Sequence, residues 1–478
     1  MVFKFSSYNG EVIRGRKDGW MKKRVIQLFL GIAVLSYVFT GCSHQGSTDD
    51  KETDSVNSGE VIVEEQEQDF IDEESQGSIE LSGMLQVDGK SENSESESIS
   101  TSSENQNAVL VKNGGTLTMT DGKLTKSGDT SSADESNYYG VNAVFATTAG
   151  SESSISKSEI TSSAEGANAV FATGTDALIH ADHVKISTSG NSSRGLKATY
   201  GGRIKAENIE VTTSGTRCAP VAAEKSGSVF VQGGTVLSSG TGSPCIFAAG
   251  TVTAEKLEGS ADDSQILMIE GGSTAALNGC DLSGSGENGV LLYRSSSENE
   301  GEGASNLKAS DTKLTSRTEG PLFYVTNTKA DIILRNSELK YEGNVLTKVS
   351  GNSINNWGTP GSNGGNLILT AIDQKLKGRI VCDEISTVNL RLKESSSFSG
   401  SINSDNKGKY IKVSLAEDAV WKLSGDAYVN VLTNADESCS NIESGGYSIY
   451  YDSADSANSW LAGRTISLAG GGKIVPRG

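Results

Sequence analysis

Apolar residues recur along this chain at two periods at once. Within short stretches they alternate with polar residues, and the alternating stretches themselves return about every 25 residues. Asn142-Ala143-Val144-Phe145-Ala146-Thr147 comes back 26 residues later as Asn168-Ala169-Val170-Phe171-Ala172-Thr173, and the same step carries Ile160 onto Ile186. Aligning on this signature gives a column of Val109, Val144, Val170, Leu196, Val221 and Ile246. A smaller column lies two residues on: Val111, Ala146, Ala172, Ala198, Ala223 and Ala248. Residues two apart share one face of a strand, so both columns are expected to point inward. The intermediate row, Leu110, Phe145, Phe171, Lys197, Ala222 and Phe247, is then expected to point outward, as its lysine suggests.

The second part of each unit follows the same rule. Ile179 and Ala181, Ile204 and Ala206, and Val229 and Val231 form inward pairs, each followed by a corner and a further apolar residue, Ile186, Val211 or Val236. Three residues before that apolar position stand Asp121, His183, Asn208, Gly233, Asp311 and Asn336 in the copies that align. Gly, Asn and Asp tolerate left-handed backbone, so this column predicts a stacked turn. Hairpin signals such as Asn-Gly between alternating runs are rare, which weighs against an antiparallel sandwich. The expected fold is all-β: a single-stranded, parallel, right-handed β-helix of about 25-residue coils with a C-terminal cap.

Composition fits a thin core spread along a repeat axis. Hydrophobic residues make up 35% of the 478, with 56 Gly and only 5 Pro. A formal net charge of −19 argues against a nucleic-acid partner, because phosphate binding needs clustered Lys and Arg. Residues 1–42 read as upstream sequence and an export signal starting at Met21. Basic Met21-Lys22-Lys23-Arg24 precedes an apolar run from Val25 to Phe39 and then Thr40-Gly41-Cys42. A Cys directly after Thr-Gly resembles a bacterial lipobox, which implies lipidation at Cys42, an extracytoplasmic location at the cell surface and a membrane as partner. Residues 43–106 are rich in Ser, Glu, Asp and Asn and read as an acidic tether, too polar to fold. Within it, Ile79, Leu81 and Met84-Leu85-Gln86-Val87 suggest a short hairpin or a cap over the first coil. The repetitive β-helix is expected over 107–349, and further coils with the cap over 350–478.

In that last stretch, Asn356-Trp357-Gly358 with Gly361-Ser362-Asn363-Gly364, the run Ser397-Phe398-Ser399-Gly400-Ser401-Ile402-Asn403, and the segments at Trp421 and Tyr451-Asp452 carry a resemblance. They look like a family of secreted, adhesin-like β-helix proteins of anaerobic, gut-type bacteria. Trp421-Lys422-Leu423-Ser424-Gly425-Asp426 is also similar to strands near the end of autotransporter passenger β-helices. The resemblance implies a surface-exposed rod that meets a host or bacterial glycan or protein. It brings no catalytic motif and no cofactor.

Candidate chemistry is sparse. His180 and His183 stand three apart, which puts them on opposite faces of a strand, so they read as two surface histidines rather than a zinc pair. Five cysteines follow Cys42, an odd number that does not describe a disulfide framework. Cys218 and Cys245 fall in adjacent coils two positions out of register, a poor geometry for a bridge. A glycan lyase or hydrolase needs two carboxylates flanking one sugar bond; Asp281, Asp311 and Glu338 lie near successive corners without a basic partner at matching positions. The outward aromatic row therefore supplies the candidate contact residues, Phe145, Phe171 and Phe247, with Trp357 from the C-terminal insertion. The expected function is a surface-anchored adhesion or interaction module. A β-helix polysaccharide lyase or glycoside hydrolase is the first alternative, and a purely structural envelope protein the second.

Overall fold

A computed structural model describes residues 79–295, 303–354 and 357–477 of the chain, all within the unit Ile71–Gly478. The export signal, Cys42 and most of the tether lie outside the described residues. What is described is a parallel β-solenoid of about 15 turns. Each coil contributes short strands to three faces, and each strand pairs in parallel with its counterpart one coil on. The first face begins with Ser82–Asp88 on Gln106–Lys112, the second with Ser91–Glu95 on Thr116–Thr120, and the third with Ser98–Thr101 on Lys123–Lys126. Parallel pairing follows from the 25-residue repeat, because each coil returns the chain to the same edge running in the same direction.

The corners are where the sequence is most explicit. Asp121, His183, Asn208, Gly233, Asp311 and Asn336 all have positive φ, between 43° and 69°. The expected turn column is therefore a stack of left-handed residues. Between corners, inward pairs such as Ile204 and Ala206, or Val229 and Val231, are buried in one continuous core with Ile186, Val211 and Val236.

Two sequence expectations change. The solenoid starts within the stretch read as tether: Ser82–Thr101 is a full coil, neither hairpin nor detached cap. Its inward positions include Leu85, Val87, Ser94 and Ile99, while exposed Ser, Glu, Asp and Asn make up much of the rest. So few apolar residues leave its composition looking disordered. The second correction concerns register. The repeated hexapeptide predicts Val144 opposite Val170, yet Phe145 is the residue that pairs with Val170, and with Val109 on the other side. Ala146 accordingly pairs with Leu110 and Phe171. The corner 149–151 is one residue shorter than the corner 174–177, so the second face returns to the 26-residue step. A one-residue slip exchanges inward for outward positions. Phe145 thus belongs to the core column, and Ala146, not Phe145, stands in the outward row.

Toward the C-terminus the coil tightens, with second-face strands from Asn366, Thr387 and Tyr410 pairing at steps of 21 and 23 residues. Bulky side chains fill this end. Trp421 is fully buried against Phe398, ring centroids 6.0 Å apart, and donates its indole N–H to the Gly400 carbonyl at 3.1 Å. The stack ends in a four-stranded sheet of Ala427–Val429, Ile449–Asp452, Lys473–Arg477 and Ile466–Ser467. Ile466–Ser467 runs antiparallel to Lys473–Arg477, the one antiparallel pairing among the described residues. Reversing the chain there gives the last parallel strand a partner that does not propagate the coil.

Candidate functional site

Among the described residues, the outward side of the first face brings together aromatic, apolar and ionic side chains. Its central row runs Leu110, Ala146, Phe171, Lys197, Ala222, Phe247, Met268, Leu291, Tyr324 and Lys348, one residue per coil. Two residues along the strands, a second row holds Thr173, Thr199, Glu224, Ala249, Glu270 and Tyr293. A strand cannot bury an outward row by itself, so whatever lies over it decides which positions are free.

Over the first coils lies the 129–141 insertion, here called the strap. It contains one helical turn, Glu135–Tyr139, closed by Gly140 at φ 77°. The Tyr138 carbonyl accepts hydrogen bonds from Thr199 Oγ1 at 2.7 Å and Thr173 Oγ1 at 3.2 Å. The Tyr139 ring stacks on Tyr200 with centroids 5.3 Å apart, and the Ser136 carbonyl accepts from Asn168 Nδ2 at 3.1 Å. Phe171 is fully buried in a small cluster with Leu110, Ala143 and Ala146. Its ring lies so close to Gly140 that a Cβ there would stand 2.7 Å from Phe171 Cδ1. Phe171 therefore fastens the strap and presents nothing to solvent.

At the strap's edge lies a buried ionic group. Lys197 is wholly buried; its Nζ donates to Glu224 Oε1 at 2.5 Å and lies 5.5 Å from the centroid of the Tyr138 ring. Arg194 Nη2 lies 3.8 Å from the same Oε1, and its Nη1 donates to Asn137 of the strap. Burial, and then the Arg194 charge, pull the Lys197 ammonium down to about 7. Burial pushes Glu224 upward, but Lys197 and Arg194 outweigh it and hold the carboxyl below its usual value. Two coils on, Glu270 accepts hydrogen bonds from Tyr293 Oη at 3.2 Å and from both the Ser295 amide and hydroxyl. Burial holds it above the usual carboxylate range despite the Ser295 hydrogen bond, and the Glu224 charge adds to the rise.

The far end is closed by a second aromatic pair. Trp357 packs on Tyr293 with centroids 4.4 Å apart, and its carbonyl accepts from Asn363 Nδ2 at 2.9 Å and Asn352 Nδ2 at 3.2 Å. Between strap and Trp357 the floor is Phe247, Ala249 and Met268, all half-buried. At about 4.8 Å per coil, Phe247 and Met268 stand one step apart, between the buried Lys197 and Ala222 on one side and the buried Leu291 on the other.

Of the four candidate contact residues, Phe145 is in the core and Phe171 is under the strap, so neither can meet a partner in this fold. Phe247 lies on the floor and Trp357 at the wall. Lys197, Glu224, Glu270 and Met268 escaped the sequence reading. Lys197 was the one visible signal: a charge inside an otherwise apolar row needs a partner, and Glu224 stands one coil on. Other candidates are unremarkable in place. His180 is surface-exposed 3.9 Å from Glu152, and His183 sits at its corner with Nδ1 2.7 Å from Asp182. Asp281 and Glu338 do share a row, but Lys313 stands between them, bonded to Asp281 at 2.8 Å, while Asp311 is in the turn column and accepts from Asn336. Cys218, Cys245, Cys280, Cys382 and Cys439 are all free and buried. Comparison with known protein families and with characterised proteins finds no match to this chain.

Proposed function

We propose that the protein is a cell-surface interaction module, held to the membrane by a lipid on Cys42 and binding a glycan along the first face. One observation carries the reading: a half-buried apolar floor, Phe247, Ala249 and Met268, runs between the strap and the Tyr293–Trp357 pair. Apolar and aromatic faces stack on sugar rings, and Phe247 and Met268, one coil apart at about 4.8 Å, offer a platform for one or two sugar rings. Glu270, half-buried in the row beside this floor, supplies a carboxyl group for sugar hydroxyls.

The glycan-cleaving alternative has one observation in its favour. Glu224 and Glu270 share a row, with one carboxyl held low and the other high, as a base and an acid require. Access decides against it: the Glu224 side chain is 8% exposed and engaged by Lys197 and Arg194.

The test is binding of the full chain to an array of immobilised bacterial and host glycans, alongside digestion assays on the same polysaccharides. Binding that disappears in Phe247→Ser/Met268→Ser, without depolymerisation, is the expected outcome. Depolymerisation lost in Glu270→Gln would replace the module with an enzyme, and no binding at all would favour a purely structural envelope protein. For the anchor, Cys42→Ala should release the protein into the medium; membrane retention unchanged would refute lipidation there.

A further inference from the structure

We infer that Lys197 and Glu224 are joined by a side-chain amide that the protein forms by itself, stapling two adjacent coils beneath the strap. The two residues lie on neighbouring first-face strands, Leu196–Thr199 and Val221–Ser238, in outward rows one coil apart. Lys197 is wholly buried and the Glu224 side chain 8% exposed, with Nζ 2.5 Å from Oε1. Such a contact puts Nζ roughly 3–3.5 Å from the carboxyl carbon, the separation of a near-attack arrangement. The Tyr138 ring covers the amine, and the strap that carries it is tied down through Thr173, Thr199 and Asn168.

The chemistry balances within the pair. Proton transfer along the Nζ–Oε1 contact turns ammonium and carboxylate into amine and carboxylic acid. The Nζ lone pair attacks Cδ and the C–N bond forms. Arg194, 3.8 Å from Oε1, faces the negative charge that develops on oxygen. One Nζ proton passes to a carboxyl oxygen, that C–O bond breaks, and water leaves. Amine and acid go in, amide and water come out, and no oxidant, reductant or other reactant is needed. The site favours the product because a buried ion pair bears a large desolvation cost that a neutral amide does not. Burial pulls the Lys197 ammonium down to about 7, so a share of free amine, the nucleophile that the step requires, is present at neutral pH.

Tryptic digestion of the purified, unfolded full chain followed by mass spectrometry tests this. The expected result is a branched peptide containing both Lys197 and Glu224, lighter than its two parents by one water, with no cleavage after Lys197. In Lys197→Met the Glu224 peptide should appear alone at its sequence mass. Two unmodified peptides from the wild type, with trypsin cutting after Lys197, would overturn the inference and leave an ordinary buried ion pair. The wild-type digest decides the matter whether or not the variant folds.

Discussion

Three phenylalanines of the first face make the register of the solenoid measurable. Phe145 is fully buried in the inward column, Phe171 fully buried outward beneath the strap, and Phe247 half-buried on the open part of the face. Truncating Phe145 to Ala loses roughly 2–3 kcal/mol of transfer free energy. The cavity left in a core that cannot collapse raises the total to about 3–5 kcal/mol. Phe171→Ala removes a comparable ring, but the loss falls on the strap, which should become accessible to chymotrypsin at Tyr138 and Tyr139. Phe247→Ala gives up only part of its contact, about 1 kcal/mol. In urea, with a slope of a few kcal/mol per molar, Phe145→Ala should lower the midpoint by roughly 1 M and Phe247→Ala by a small fraction of that. If Phe145→Ala melted together with Phe247→Ala, the slipped register that puts Phe145 in the inward column would be wrong.

Further expectations rest on single positions. Gly140→Ala combines a left-handed backbone, costing about 1–2 kcal/mol for any other residue, with a Cβ against the Phe171 ring, so it should expose the strap to protease while the rest of the solenoid still resists. The five described cysteines should ignore iodoacetamide until denaturant is added, because burial pushes the thiols up, Cys245 and Cys382 to about 12; labelling of the native protein would refute this burial. Lys126, whose ammonium donates to the Gln106 and Ser103 carbonyls, is pulled by burial down to about 8. The unfolded chain therefore binds the extra proton between that value and 10.5, so this residue makes stability rise with pH across that window. Lys126→Met should flatten that part of the profile, and an unchanged slope would contradict it.

Much of the fold is legible in the sequence because two local rules repeat without interference. Alternation marks the inward pairs, and a residue suited to left-handed backbone marks each corner, so Asn208 and Gly233 announce the same turn. What escapes is whatever depends on counting across an irregular segment. The hexapeptide at Asn142 and its copy at Asn168 look like perfect register marks, yet the strap and a corner one residue shorter shift the pairing and bring Phe145 inside. The same insertion hides Phe171 and builds the Lys197–Glu224–Arg194 group, because only the folded chain places Tyr138 and Asn137 over the first face. The first coil escaped for a different reason: with Ser94 at an inward position and serines and glutamates outside, its composition is that of a tether.

A ligand site on the first face, between the strap and Trp357, is tested most directly by blocking it. Since the described native cysteines are buried, a new surface cysteine can be labelled selectively in a Cys42→Ala background. Ala249→Cys places one on the apolar floor beside Glu224, and Thr161→Cys places one exposed on the third face. With a glycan found on the array, binding by the Ala249→Cys protein should be abolished by a bulky maleimide, while labelled Thr161→Cys should bind as the wild type does. Equal binding by both labelled proteins would contradict a ligand site between the strap and Trp357.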